Sequence, residues 1–240
     1  APVTLTTEPF NTESVTASPG DIDRALAALR RGHVTVRLAP GLYRLHDVRI
    51  GDGARLIGAG PRTVITPPAG TSYFAVLVAR GRNIAISNLT VDGGGPGAGK
   101  GIAVAVFDGS RNVRLSRLRL THVRTDGVNV WGAFSNVSVE DSLIEGDGSA
   151  QTGVFALGSD RSRNTSVIRT RVRGFRSHGI LLAQTAYGRP AAALHGLALD
   201  NVVSDINGVS ICLIGVSRAA ITGNRFAALH ATKPQNTGGR

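Results

Sequence analysis

Gly101-Ile102-Ala103-Val104, Gly127-Val128-Asn129-Val130, Gly153-Val154-Phe155-Ala156 and Gly179-Ile180-Leu181-Leu182 follow one another at intervals of 26 residues. Between them a second phrase recurs: Arg111-Asn112-Val113-x-Leu115, then Ser135-Asn136-Val137-x-Val139, then Arg163-Asn164-Thr165-x-Val167. A repeat of this length, with apolar residues alternating at period two, describes a unit that cannot bury its apolar face alone. Stacking the copies buries it. The expected fold is all-β, a parallel β-solenoid of about eight coils.

Outward from the repeat, a spacing of i, i+2, i+5, i+7 registers the coils against one another. It aligns Ile84, Ile86, Leu89 and Val91 with Val113, Leu115, Leu118 and Leu120. Val137, Val139, Ser142 and Ile144 come next, then Thr165, Val167, Thr170 and Val172. The two residues between each pair make a sharp bend, and the Gly-initiated strand completes the coil. Arg117, Asp141 and Arg169 then share one outward position on successive coils, as a solvated charge ladder.

Before the coils, Ile22, Ala25, Leu26 and Leu29 repeat at helical spacing, with Asp21 as the expected N-cap, Arg30 and Arg31 in the last turn and Gly32 as the stop. The helix is expected to cover the open end of the first coil. The whole chain reads as one domain: residues 1–32 entry segment and capping helix, 33–226 coils, 227–240 tail. No second cap is visible. The tail folds over the last coil, a second subunit covers it in a homo-oligomer, or the natural protein continues.

The chain has 240 residues, is 42% apolar and only 5% aromatic, and carries 31 Gly, which suits short strands and tight turns. No run of about 18 apolar residues is present to span a membrane. The one cysteine, Cys212, excludes an internal disulfide and reads as a core or near-core residue. The formal net charge is +11, and of 27 basic side chains only Lys100 and Lys233 are lysines. Such a surface attracts polyanions, and arginine binds carboxylates bidentately. No nucleic-acid-binding motif accompanies the charge, so nucleic acid is not the expected partner. The chain contains no Met and begins Ala1-Pro2-Val3. That suits a mature secreted protein, extracellular and bacterial.

The opening also resembles the pectate-lyase-like superfamily of right-handed parallel β-helices. The resemblance is carried by the capping helix, by Val34–Leu38 with Ala39-Pro40-Gly41-Leu42-Tyr43, and by Leu56-Ile57-Gly58-Ala59-Gly60. It implies a right-handed β-helix, and its members include lyases, epimerases, hydrolases and non-catalytic surface proteins.

Two stretches exceed what coil geometry needs, Asp92–Lys100 and Gln184–His195, the second containing Tyr187 and Arg189. They are expected to wall a groove that fits a linear polymer. Across that face the residue before each repeat Gly is stacked: Lys100, Asp126, Thr152, His178. Three positions before the Gly stand Arg124 and Arg176, and Asn129 and Trp131 face outward. Asp126 and His178 then lie about 10 Å apart along the stack. A carboxyl, an imidazole, guanidinium groups and an aromatic face make a saccharide site.

Polygalacturonases are similar along Arg124-Thr125-Asp126-Gly127, Gly146-Asp147-Gly148 and Ser177-His178-Gly179, although Arg124 and Gly148 replace an Asn and an Asp of their pattern. That resemblance implies inverting hydrolysis by Asp126 and Asp147. Ser177-His178-Gly179-Ile180-Leu181 resembles the His-Gly-Ile phrase of β-helical mannuronan epimerases. Lyases and epimerases of uronic acids remove the C5 proton while a cation neutralises the carboxylate. His178 is then the base, Arg124 and Arg176 the carboxylate binders, and Lys100, Asn129, Trp131, Asp147, Tyr187 and Arg189 the saccharide contacts. No metal site is required, and Ca²⁺ is compatible with the nearby acidic residues. The expected function is lyase or epimerase action on a uronate-rich polysaccharide; the alternatives are a glycoside hydrolase and a non-catalytic polymer-binding protein.

Overall fold

A computed structural model describes residues 13–94, 101–184, 195–216 and 218–227 of the chain. Two sheets of parallel strands run its length, one of fifteen strands and one of seven. The seven-stranded sheet steps from Val48–Ile50 through Ala75–Ala79, Ile102–Val106, Asp126–Gly132, Thr152–Gly158 and His178–Gln184 to Val209–Ile214. Each step is one turn of the solenoid, so about seven turns stand where about eight were expected. The other sheet wraps the remaining sides, its strands bending within each coil. Between the two lies one continuous core of Val, Ile, Leu and Ala.

The repeating Gly opens four neighbouring strands of the seven-stranded sheet. Its recurrence is steric. A Cβ on Gly127 would strike the Ile144 side chain and approach the Gly153 carbonyl oxygen to 2.6 Å. On Gly153 it would strike Val172 and lie 2.6 Å from the Gly179 oxygen; on Gly179, 2.5 Å from Val203 Cγ1. At each coil corner the chain turns inward against the next coil, leaving room for hydrogen alone.

The recurring Asn has a different cause. Asn83, Asn112, Asn136 and Asn164 all have positive φ, between 26° and 57°, the left-handed region that Asn tolerates better than most residues. From Asn112 on, each side-chain amide donates to the Asn Oδ1 of the preceding coil: Asn112 to Asn83 (2.9 Å), Asn136 to Asn112 (2.9 Å), Asn164 to Asn136 (2.8 Å).

The i, i+2, i+5, i+7 register holds across these coils, with Val113 beside Ile84 and Val137, and Leu120 beside Val91 and Ile144. At its second bend one residue per coil again takes positive φ: Asn88, Arg117, Asp141, Arg169, Asp200. The residue after it faces the core and changes from leucine at Leu89 and Leu118 to Ser142, Thr170 and Asn201. These buried polar groups form an interior ladder. Ser142 Oγ accepts the Leu118 N–H (3.1 Å), Asn201 Oδ1 accepts the Thr170 N–H (2.9 Å), and Asn224 Oδ1 accepts the Asn201 N–H (2.9 Å). Asn201 also donates to the Val167 carbonyl at 2.9 Å. Asn201→Leu therefore strands a buried N–H and a buried C=O at once. Each orphan costs about 1–3 kcal/mol, so the expected loss is roughly 2–6 kcal/mol, read as a lower urea midpoint at unchanged m.

The capping helix is Asp23–Arg31, burying Ala25, Ala28 and Leu29, and it stands against Val34–Leu38 and Val48–Ile50. It occupies the place that a strand of the seven-stranded sheet takes in later coils. Gly32 (φ 85°) stops it, its N–H bonded to the Ala28 carbonyl at 3.0 Å. The expected N-cap is corrected: Ile22 holds that position, with no side-chain cap, because the helix starts one residue later than Asp21 would require. Part of the entry segment, Glu13–Ala17, pairs with Val34–Leu38 as the outermost strand. At the far end Ile221 and Phe226 stay exposed among the described residues; the tail from 228 lies outside them. No helix among the described residues is long and apolar enough to cross a membrane.

Candidate functional site

Asp126, Thr152 and His178 sit side by side on consecutive strands: Asp126 pairs with Thr152, Thr152 with His178, and His178 with Val209. The row lies just before the corner Gly of each coil. Its next outward neighbours are Asn129, Phe155, Leu181 and Cys212, which alternate with the buried Val128, Val130, Ile180 and Leu182. Cys212 is thus half-buried on the outer face rather than in the core. Lys100, Tyr187 and Arg189, together with most of the two expected groove walls, lie outside the described residues.

Asp126 is only 8% exposed. Asn129 Nδ2 donates to its Oδ2 at 2.8 Å. Burial pushes its carboxyl above the ordinary range, and the Asn129 and Thr152 N–H contacts only partly offset this. His178 is half-buried, and burial pushes its imidazole below the ordinary range, toward the neutral form. His178 Nδ1 lies 2.8 Å from Ser177 Oγ. When Nδ1–H donates to that hydroxyl, Nε2 carries the free lone pair. Ionised Asp126 costs stability above its folded pKa, and the cost vanishes below the pKa of the unfolded carboxyl. Asp126→Asn is therefore expected to raise the melting temperature at pH 7, by an amount that shrinks toward zero as the pH falls to about 4.

The flanking residues separate into two groups. Arg124 is half-buried, its Nε 3.6 Å from Asp147 Oδ2. Arg176 is exposed and lies on the next coil but one, its backbone N–H bonded to the Ala150 carbonyl. Asp147 is occupied locally: its Oδ1 accepts from the Ser149 N–H (2.9 Å), the Ser149 hydroxyl (2.7 Å) and the Ala150 N–H (3.0 Å). Partial burial raises its pKa, but these bonds and the Arg124 charge outweigh that and hold it below the ordinary range. The Asp147 carboxylate is a turn cap.

Trp131 is 60% exposed. Val106 pairs with Val130, which sets Phe107 beside Trp131, and the Phe107 ring stacks obliquely on Phe74 with centroids 5.4 Å apart. Phe107 and Trp131 thus share the edge where their strands end, and the Phe74 ring, rooted at the opposite edge, reaches across the face to Phe107. Of the three, only Trp131 is among the saccharide contacts expected from sequence; the signal for Phe107 is its place one residue past Val106, as Trp131 is one past Val130. Tyr73 was also missed. Its hydroxyl donates to the Gly93 carbonyl (3.0 Å) and its ring fills the space in which a Gly101 side chain would sit. It ties the two ends of the 93–101 stretch to the coil beneath.

The outer face of a seven-strand stack, with a buried acid and a neutral imidazole in one row, invites comparison with solved structures. The A-module of the Azotobacter vinelandii mannuronan C-5 epimerase AlgE4 superposes with a TM-score of 0.58 at 16% identity, over 90% of this chain and 75% of that one. The AlgE6 A-module from the same organism gives 0.54 at 18% identity, over 86% and 70%. A rice weevil pectin methyl esterase gives 0.52 at 14% identity, over 90% and 70%. The chain is a right-handed parallel β-helix. At these identities the likeness establishes the fold. No protein-family model and no curated protein sequence matches the chain.

Proposed function

We propose that this β-helix modifies an acidic polysaccharide by removing the C5 proton of a uronate residue, as an epimerase or a lyase. The observation that carries the reading is the shared row of Asp126 and His178, two coils apart, each pushed by burial toward its uncharged form. A neutral imidazole can take a proton through Nε2. A protonated Asp126 can donate to a uronate carboxylate that an ionised one would repel, and a docking carboxylate favours that protonated form further. The C5 electron pair then spreads into a carboxyl group that is already hydrogen-bonded. From that enolate, a proton delivered by water to the opposite face, with His178 passing its proton to solvent, gives the epimer; departure of the 4-oxygen substituent, protonated by His178 or water, gives an unsaturated product. Arg124 supplies positive charge beside the row, and Trp131 and Phe107 an apolar face for sugar rings. The names of two structural neighbours, mannuronan C-5 epimerases, and the net charge of +11 agree with this substrate class.

Hydrolysis by Asp126 and Asp147 is less well supported, because Asp147 already caps its own turn. The test is incubation with alginate and with pectate, following the ultraviolet absorbance of unsaturated uronate, the sugar stereochemistry by NMR and the release of reducing ends. Unsaturation or inversion at C5 is expected. New reducing ends with neither would overturn the reading.

A further inference from the structure

On the side formed by the fifteen-stranded sheet, the bend marked by Arg117, Asp141 and Arg169 forms a groove of about 550 Å³. Four guanidinium groups line it, Arg117, Arg119, Arg169 and Arg171, against one lining carboxylate, Asp141. Arg169 grips that carboxylate with two bonds, Nε to Oδ1 at 2.6 Å and Nη2 to Oδ2 at 3.0 Å. Arg119 reaches Glu145 outside the groove at 3.6 Å. Among the described residues no hydrogen bond or ion pair engages the side chains of Arg117 and Arg171.

The register sets the spacing. Arg119, Leu143 and Arg171 are direct neighbours on three successive coils, so Arg119 and Arg171 stand about 10 Å apart along the stack. Arg117 and Arg169 are likewise two coils apart at the bend, with Asp141 between them. The αL residues that turn the chain here are what aim these side chains away from the core. Asp141, gripped by Arg169 and attracting Arg117 as well, and Glu145 beside Arg119 offset part of this charge, and the remainder attracts an external anion. The bond already made inside the groove is guanidinium to carboxylate, in fork geometry.

We propose that this bend is a second binding track for a carboxylate-bearing polysaccharide, on a different side of the coil from Asp126 and His178. It takes carboxylates about 10 Å apart and holds polymer to the enzyme while another stretch occupies the Asp126 face. The inference rests on the acidic-polysaccharide reading above, and the experiment separates their failures.

In a His178→Ala background, titration calorimetry with oligogalacturonate and oligomannuronate of defined length is expected to report two oligomers per chain. Arg117→Ser/Arg171→Ser removes one of them, weakening its affinity at least about tenfold, with the thermal melt unchanged. With His178 restored, the same double substitution raises KM for long polymer and leaves turnover of short oligomers unchanged. Arg117→Lys/Arg171→Lys keeps the charge but not the fork and falls between the two. One oligomer per chain in the parent, or two retained in the Ser variant, overturns this inference alone. A sulfated glycan that fills the groove as well as the uronate overturns the carboxylate assignment. No binding of any uronate at either place sinks the proposed function itself.

Discussion

His178→Ala is expected to lower kcat on a uronate polysaccharide by about 10²–10⁴-fold, the range that a positioned acid or base contributes. Oligosaccharide affinity should stay within a few-fold of the parent, and the melting temperature should not fall. The reasons are geometric. Only Ser177 bonds the ring among the described residues, through Nδ1, and the side chain is outside the core, so its removal opens no cavity. The pH profile carries the same signature. Burial lowers the imidazole pKa, so the base stays neutral to more acid pH than an ordinary histidine. The acid limb of kcat/KM should lie below the ordinary histidine pKa and vanish in the variant. Equal losses of affinity and kcat, or an acid limb unmoved by the substitution, would assign His178 to structure.

The second large effect concerns the repeat itself. Gly153→Ala is expected to cost roughly 3 kcal/mol, at the upper end of overpacking, and Gly153→Val to prevent folding. The added Cβ meets Val172, Phe175 and, at 2.6 Å, the carbonyl oxygen of Gly179. A side chain could rotate away, but a backbone oxygen held in a parallel ladder cannot. Gly20→Ala is the control, since nothing lies within 4 Å of the added carbon there and its φ is not in the left-handed region. Urea unfolding should show a clear midpoint loss for Gly153→Ala and almost none for Gly20→Ala. Equal stability of both would mean that the corner Gly repeats for some other reason.

The two phrases that signalled the solenoid are the ones with repeated local causes. The Gly marks a corner too tight for a Cβ, the Asn marks an αL turn, and the period-two residues between them fill the core. Such causes act within a coil or between adjacent coils, and the 26-residue spacing displays them directly. The Asp126–Thr152–His178 row was legible for the same reason, because register follows from period. What stayed hidden depends on contacts that spacing does not encode. Spacing places Ser142 and Thr170 at core positions but does not show that their oxygens receive N–H groups from the neighbouring coil. Asp147 looked like a second catalytic carboxylate, but its own following residues occupy it. The Phe74–Phe107 stack joins residues from different coils and could be seen only once the register was known. The charge ladder was read as one series; in the structure Arg169 pairs with Asp141, while Arg117 is left facing a groove.

The central claim is that His178 takes a proton from C5 of a bound uronate. Turnover of alginate and pectate in D₂O, followed by NMR of the sugar ring, tests it most directly. If the product is the epimer, deuterium should appear at C5; if it is the unsaturated sugar, unreacted residues should show C5 exchange or the product should form with a primary isotope effect from C5-deuterated polymer. Both signals should disappear in His178→Ala. Product formation with C5 hydrogen fully retained, or exchange that persists without His178, would contradict the account.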